Sequence, residues 1–226
     1  MSNSALVDYV RISPNRTSPR NHKIDTITIH CTAGQASVET LGDIFSRPQR
    51  RASSNYGIDS DGKIGLYCEE KDRSWCSSNA ANDNRAITIE VASDKVNPYK
   101  VNDRAMATLI KLLVDICKRN GIKELKWRGD KSLIGQIDRQ NMTVHRWFSN
   151  TACPGDYLMG KLAWIAEEVN KRLKGSERVK IRYKGKELEV EGKNENGTVY
   201  VKARELLMKM GFSVSWDNES KTVVVS

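Results

Sequence analysis

Two β-branched runs, Ile24-Asp25-Thr26-Ile27-Thr28-Ile29-His30 and Ala86-Ile87-Thr88-Ile89-Glu90-Val91, constrain the fold most. Each is apolar enough to be a buried strand, and each carries an ionisable residue at its carboxyl end. Between and beyond them the period changes from strand to helix. Ser37 to Phe45 has a helical pattern that stops at Pro48. From Asn102 to Asn120 the residues Ala105, Leu109, Leu112, Leu113 and Ile116 recur at three- and four-residue steps, with Gly121 placed as a C-cap. Pro154-Gly155-Asp156 starts a last long helix through about Leu173. Extended runs Ser53 to Ile58 and Lys63 to Tyr67 flank Asp59-Ser60-Asp61-Gly62, a hairpin signal, and Asn82-Asp83-Asn84 reads as a loop. Strands alternating with helices predict an α/β fold, a β-sheet covered by helices.

Beyond Leu173 the texture changes. Residues 174–177, Lys-Gly-Ser-Glu, have the small polar character of a linker, which divides the chain into residues 1–173 and a module of residues 178–226. Val179 to Tyr183 and Lys186 to Val190 bracket Lys184-Gly185 as a hairpin. Tyr200 to Met210 is expected to form one amphipathic helix, and Phe212 to Trp216 and Thr222 to Val225 to close with strands. The module is thus a small α+β unit near the lower size limit for independent folding.

The 226 residues carry a formal charge of +9, which favours polyanionic partners such as wall teichoic acid, nucleic acid or anionic lipid. The basic residues are dispersed and no helix-turn-helix or finger spacing occurs, so nucleic acid is not the expected partner. No window approaches a membrane span, and residues 1–20 lack the apolar stretch of a signal peptide, so membrane insertion is not expected and the cytoplasm is the expected place of synthesis. The cysteines, Cys31, Cys68, Cys76, Cys117 and Cys153, are odd in number and never spaced C-x-x-C, which argues against a disulfide framework or a four-thiolate zinc knot.

His30, His145 and Cys153 are a ligand set suited to catalytic zinc. Two imidazoles and a thiolate leave the fourth tetrahedral position for a reactive water, whereas four protein ligands would close the site. Pro154 and Gly155 fix a tight turn beside Cys153, and seven residues separate it from His145.

Four blocks in order resemble the zinc-dependent N-acetylmuramoyl-L-alanine amidases of type 2, relatives of peptidoglycan recognition proteins. They are Ile27 through Gly34, Asn55 through Ile64, Asn84 through Val91, and His145 through Gly155. The resemblance implies a central mixed β-sheet covered by helices, Zn2+ on His30, His145 and Cys153, and Glu90 as the catalytic carboxylate. It also implies a lysine two residues before the metal-binding cysteine, where this chain has Thr151, a neutral and weaker candidate oxyanion donor. The catalytic tyrosine of phage relatives aligns with Ser54, while Tyr56 stands two residues later and, by strand alternation, on the same face. Trp75-Cys76 stands where the family often has Trp-His, so Trp75, with Ser54 and Asn55, is a candidate substrate contact, whereas Cys76 removes a polar group. Cys31 and Cys117 are expected to be core thiols.

Residues of the small module, Tyr183 to Lys186, Val199 to Leu206 and Val214 to Asp217, resemble the domain named after the amino-terminal region of copper amine oxidases. It has no histidine or cysteine, and a wall-binding role is expected of it, the alternative being a domain that only packs on the first one or mediates a contact between copies. The resulting expectation is an endolysin-type peptidoglycan amidase that acts on the cell wall after release. A bacterial autolysin, a muropeptide-recycling amidase and a non-catalytic peptidoglycan-binding protein are the alternatives.

Overall fold

The computed structural model describes residues 2–174, 177–195 and 197–226, and divides into two compact units, Met1–Leu173 and Lys174–Ser226. Gly175 and Ser176 of the expected linker lie outside the described residues.

The first unit is built on strands β1 (Tyr9–Val10), β2 (Arg16–Thr17), β3 (Thr26–Cys31), β4 (Tyr56–Ile58), β5 (Ile64–Leu66), β6 (Arg73–Ser74), β7 (Ala86–Val91) and β8 (Met142–Val144). Six of them form one mixed sheet in the order β1-β5-β4-β7-β3-β8, and β2 and β6 pair separately. All neighbours in the large sheet run parallel except β4 and β5. Its helices are α1 (Val38–Phe45), α2 (Ala80–Arg85), α3 (Asp103–Asn120) and α4 (Gly155–Leu173). This is the expected mixed sheet with helical cover.

Alternation along the two central strands sorts their side chains. Ile27 and Ile29 of β3 and Ile87, Ile89 and Val91 of β7 enter one apolar core with Leu109, Leu112 and Leu113 of α3 and Leu158, Leu162 and Ile165 of α4. Full burial of each such side chain stabilises the fold by roughly 1.5–3 kcal/mol relative to exposure. Thr28, His30, Thr88 and Glu90 take the other face. The register pairs Ile29 with Ile89 and His30 with Glu90.

The helix ends follow the sequence signals. Ser37 caps α1 through Oγ on the Thr40 N–H, and Asn102 caps α3 by accepting from Ala105 N–H at 2.8 Å. Gly121 ends α3 in the left-handed region at φ 69°, where a side chain would be strained.

Three expectations of secondary structure in this unit are corrected. Asn82-Asp83-Asn84 is not a loop but the middle of α2, capped by Asn79. The hairpin strands are shorter than expected, because Ser53, Ser54 and Asn55 turn their side chains into local bonds with Asn15 O, Tyr56 O and Cys68 O. The segment before His145, read as irregular, ends in β8, which adds to the edge of β3.

In the second unit, β9 (Glu177–Tyr183) and β10 (Lys186–Glu195) form a hairpin, and β11 (Thr198–Val201) pairs with the far end of β10. Lys184 and Gly185 both have positive φ, as a two-residue turn of this hand requires. The expected helix from Tyr200 begins only at Ala203, as α5 (Ala203–Lys209). Thr198-Val199-Tyr200-Val201 is β-branched and aromatic, and pairing with β10 takes Tyr200 and Val201 into a strand. Strands β12 (Val214–Asp217) and β13 (Thr222–Val225) form a separate antiparallel pair.

Candidate active site

Parallel pairing brings the carboxyl ends of β7, β3 and β8 side by side, and the candidate ligands stand there. His30 is next to last in β3 and fully buried. His145 follows β8 directly, at the start of a 3-10 turn over His145–Trp147. The ring centroids of the two histidines lie 5.0 Å apart. Cys153 arrives on the loop before α4, with its Sγ 3.5 Å from His30 Nδ1. Ligand atoms of His30, His145 and Cys153 all lie within 4.8 Å of one another.

The loop is fixed by its own bonds. Arg146 N–H donates to Cys153 O at 3.2 Å, and Cys153 N–H donates to Thr151 Oγ1 at 3.2 Å. Gly155 has φ 83°, and a Cβ there would approach Tyr99 Cβ to 2.7 Å, so the turn after Cys153 admits glycine only. Thr151 therefore stands beside Cys153 with its hydroxyl oxygen engaged as an acceptor.

Buried ring nitrogens normally have partners, but Nε2 of His30 and of His145 have none. Burial, and then the facing His145, push His30 down to about 3, and burial also pushes His145 down. Neutral imidazoles are the form that binds a metal. Cys153 is pushed up by a hydrogen bond with Cys31 and by burial, a shift that a divalent cation, which binds the thiolate form, would reverse. Two imidazoles and one thiol, with ligand atoms within 4.8 Å of one another, are a donor set that fits zinc.

Glu90 sits opposite His30 in the register. Burial first, then the neighbouring Cys31, push its carboxyl up to about 8, against an opposing pull from Arg50. Cys76 Sγ donates to its Oε1 at 3.9 Å, and its Oε2 is buried without a partner. Glu90 and His145 line a cavity of about 410 Å³ together with Trp75, Cys76, Arg50, Arg51 and Arg73. Trp75 is held there by its indole N–H on Thr17 Oγ1 at 3.0 Å.

Several expected or unexpected residues fall elsewhere. The register pairs Tyr56 with Ile89 and Gly57 with Glu90, so Tyr56 faces the helical core and not the ligand group. Its hydroxyl donates to the buried Glu70 Oε1 at 2.6 Å. Ser54 and Asn55 are fully buried, and Asn55 Oδ1 accepts from Thr88 N–H at 3.1 Å. These three tie the sheet together and do not line the cavity. Cys117 is a core thiol in α3, but Cys31 is also a neighbour of Cys153 at the site.

Sequence reasoning missed the support behind the cavity wall. Asp83, buried in α2, accepts from the N–H groups of Cys76 at 3.0 Å and Ser77 at 3.1 Å. Asn82 donates to Thr28 Oγ1 at 3.0 Å and accepts from Thr143 Oγ1 at 2.9 Å, bridging β3 and β8 below the ligands. The pattern Asn79-x-x-Asn82, an N-cap followed by its third helical residue, was the available signal.

A buried ligand group, a carboxyl across the next strand and an adjoining cleft are the parts of a hydrolase. The chain belongs to the N-acetylmuramoyl-L-alanine amidase family, whose model matches residues 20–156. The copper amine oxidase N-terminal domain matches residues 162–226. Among solved structures, PlyL has a TM-score of 0.55 at 14% identity, covering 74% of this chain and 97% of its own. A mutant endolysin from Bacillus subtilis has 0.54 at 18%, covering 72% and 99%. An AmpD derivative has 0.51 at 16%, covering 72% and 96%. At these identities the likeness shows the fold. No curated protein matches the chain in sequence.

Proposed function

We propose that the protein is an endolysin-type peptidoglycan hydrolase that cleaves the amide between N-acetylmuramic acid and L-alanine, with His30, His145 and Cys153 holding Zn2+. Family membership gives the amidase chemistry, and the observation that carries the zinc assignment is the convergence of the three side chains, with His30 Nδ1 3.5 Å from the Cys153 Sγ and the Nε2 of His145 buried without a partner. Zinc supplies a Lewis acid for the scissile carbonyl and lowers the pKa of a water.

The chain's own residues do the rest. Glu90, which faces His30 across the strand register, takes the proton of the attacking water and passes it to the nitrogen of the departing L-alanine. Its unpartnered Oε2 is the atom available for that exchange. Thr151 keeps Cys153 in place through the Cys153 N–H, and its hydroxyl hydrogen is the local donor toward a developing oxyanion. Trp75 offers a flat apolar wall for a sugar ring or the stem peptide.

No helix among the described residues is long and apolar enough to cross a membrane. The enzyme is proposed to meet peptidoglycan after release from the host cytoplasm. Residues 178–226 are proposed to retain it on the wall, where basic charge suits teichoic acid, or to join two copies.

Digestion of purified walls tests the reaction. Zinc-loaded protein releases new L-alanine amino termini, while chelated protein and Cys153→Ser do not; undiminished release by Cys153→Ser overturns the assignment. Glu90→Gln with retained metal and unchanged turnover removes Glu90 from the mechanism. Deletion of residues 178–226 lowers wall retention and leaves zinc content intact, and equal retention ends the targeting role.

A further inference from the structure

The proposed reaction leaves Cys76 without a task, although its thiol lies against the proposed base. Sequence reading made Cys76 a lost polar contact. In the fold it is a nearly buried side chain whose backbone N–H is clamped by Asp83 Oδ2. With the backbone so held, Sγ lies 3.9 Å from Glu90 Oε1.

Ligand atoms of His30, Cys76 and Glu90 all lie within 4.8 Å of one another, so a second donor group adjoins the first. His30 is common to both. Its Nδ1 is directed at Cys153, while its Nε2 is buried and uncommitted. Glu90 Oε2 is likewise buried and without a partner. A thiol-to-carboxyl contact is a weak hydrogen bond and satisfies neither orphan. A cation would use a lone pair from the sulfur and one from the carboxylate. Sulfur selects zinc, cadmium or cobalt over magnesium or calcium.

We propose that Cys76 and Glu90, flanked by His30, form a second and weaker seat for a thiophilic divalent cation, and that filling it stops turnover by withdrawing Glu90 from proton transfer. The seat is weaker because it has two ligands of its own and a histidine already engaged by the first group. The binding half follows from the donor geometry alone; the inhibitory half rests on the proposed role of Glu90. Occupation releases a proton from each ligand that was protonated and involves no redox change.

Cobalt(II) titration of the full-length chelated protein tests the seat, read by bound metal per chain and by thiolate-to-cobalt absorption. The expected result is two equivalents, the second weaker. Cys76→Ser and Glu90→Gln each lose the second and keep the first, while Cys153→Ser loses the first. Retention of the first equivalent also shows that the variant is folded; should Cys76→Ser not fold, Glu90→Gln decides the matter. One equivalent only in the native protein, or a second that survives Glu90→Gln, overturns the proposal. Excess zinc is expected to inhibit wall hydrolysis by the native protein and not by Cys76→Ser; equal inhibition of both overturns the regulatory half. Failure of the amidase reading is seen separately, as walls left uncut with one equivalent bound.

Discussion

Met1–Leu173 and Lys174–Ser226 bury their apolar side chains very differently. The first unit has a continuous core in which Ile29, Ile89, Leu109, Leu113 and Leu162 are fully buried. In the second, Val190 is the only buried apolar side chain among the described residues, and Tyr200, Met208, Trp216, Val223, Val224 and Val225 are exposed. Size explains part of this, since a unit of about fifty residues has little interior at all. A reactive group held at ångström tolerance needs rigid walls, and only the first unit has them. The second has exposed apolar surface instead.

The largest test of that division is loss of the ligand group. Several kcal/mol of Lewis-acid stabilisation correspond to on the order of 10³-fold in rate, so Cys153→Ser is expected to lose at least that in wall hydrolysis. No substitution in residues 178–226 should approach this against a small soluble substrate; one that did would break the division. Next, Leu109→Ala should cost about 2–5 kcal/mol by urea unfolding, because a fully buried side chain leaves a cavity.

Acid should act mainly on the first unit. His30 titrates near 3 in the fold and near 6.5 when unfolded, so the unfolded chain binds the proton first as pH falls. The stability this ring contributes is fully present above about pH 6.5 and is lost as pH falls toward 3. Urea midpoints of the chelated protein across that range should decline, and His30→Gln should flatten the decline; an unchanged slope would contradict the buried neutral ring. The smallest effect is expected at Val224→Ala, within about 0.5 kcal/mol, since the side chain is largely exposed. A larger loss there would show that the second unit covers this face in solution.

Much of the first unit was legible because its signals are local. The runs carrying His30 and Glu90, the three- and four-residue steps from Ala105 to Ile116 and the glycine at Gly121 each act within a few residues. Tyr56 shows where local reading fails. Alternation put it on one face with Ser54, but which face depends on the pairing of Tyr56 with Ile89, and that pairing sends it to Glu70. Cys76 fails the same way. Nothing within its own segment reveals that Asp83 will hold it against Glu90.

The sequence by itself determined the two central strands, the long helices and the chemical kinds of ligand, because periodicity and donor type are properties of single segments. The tertiary structure decided which ligands meet. His30, His145 and Cys153 are brought together by parallel addition of β8 to β3 and by a turn that only glycine permits. Glu90 faces His30 through strand register, and Cys76 faces Glu90 through a buried aspartate on α2. Register and packing are set by burial summed over the whole sheet, so no one segment carries them.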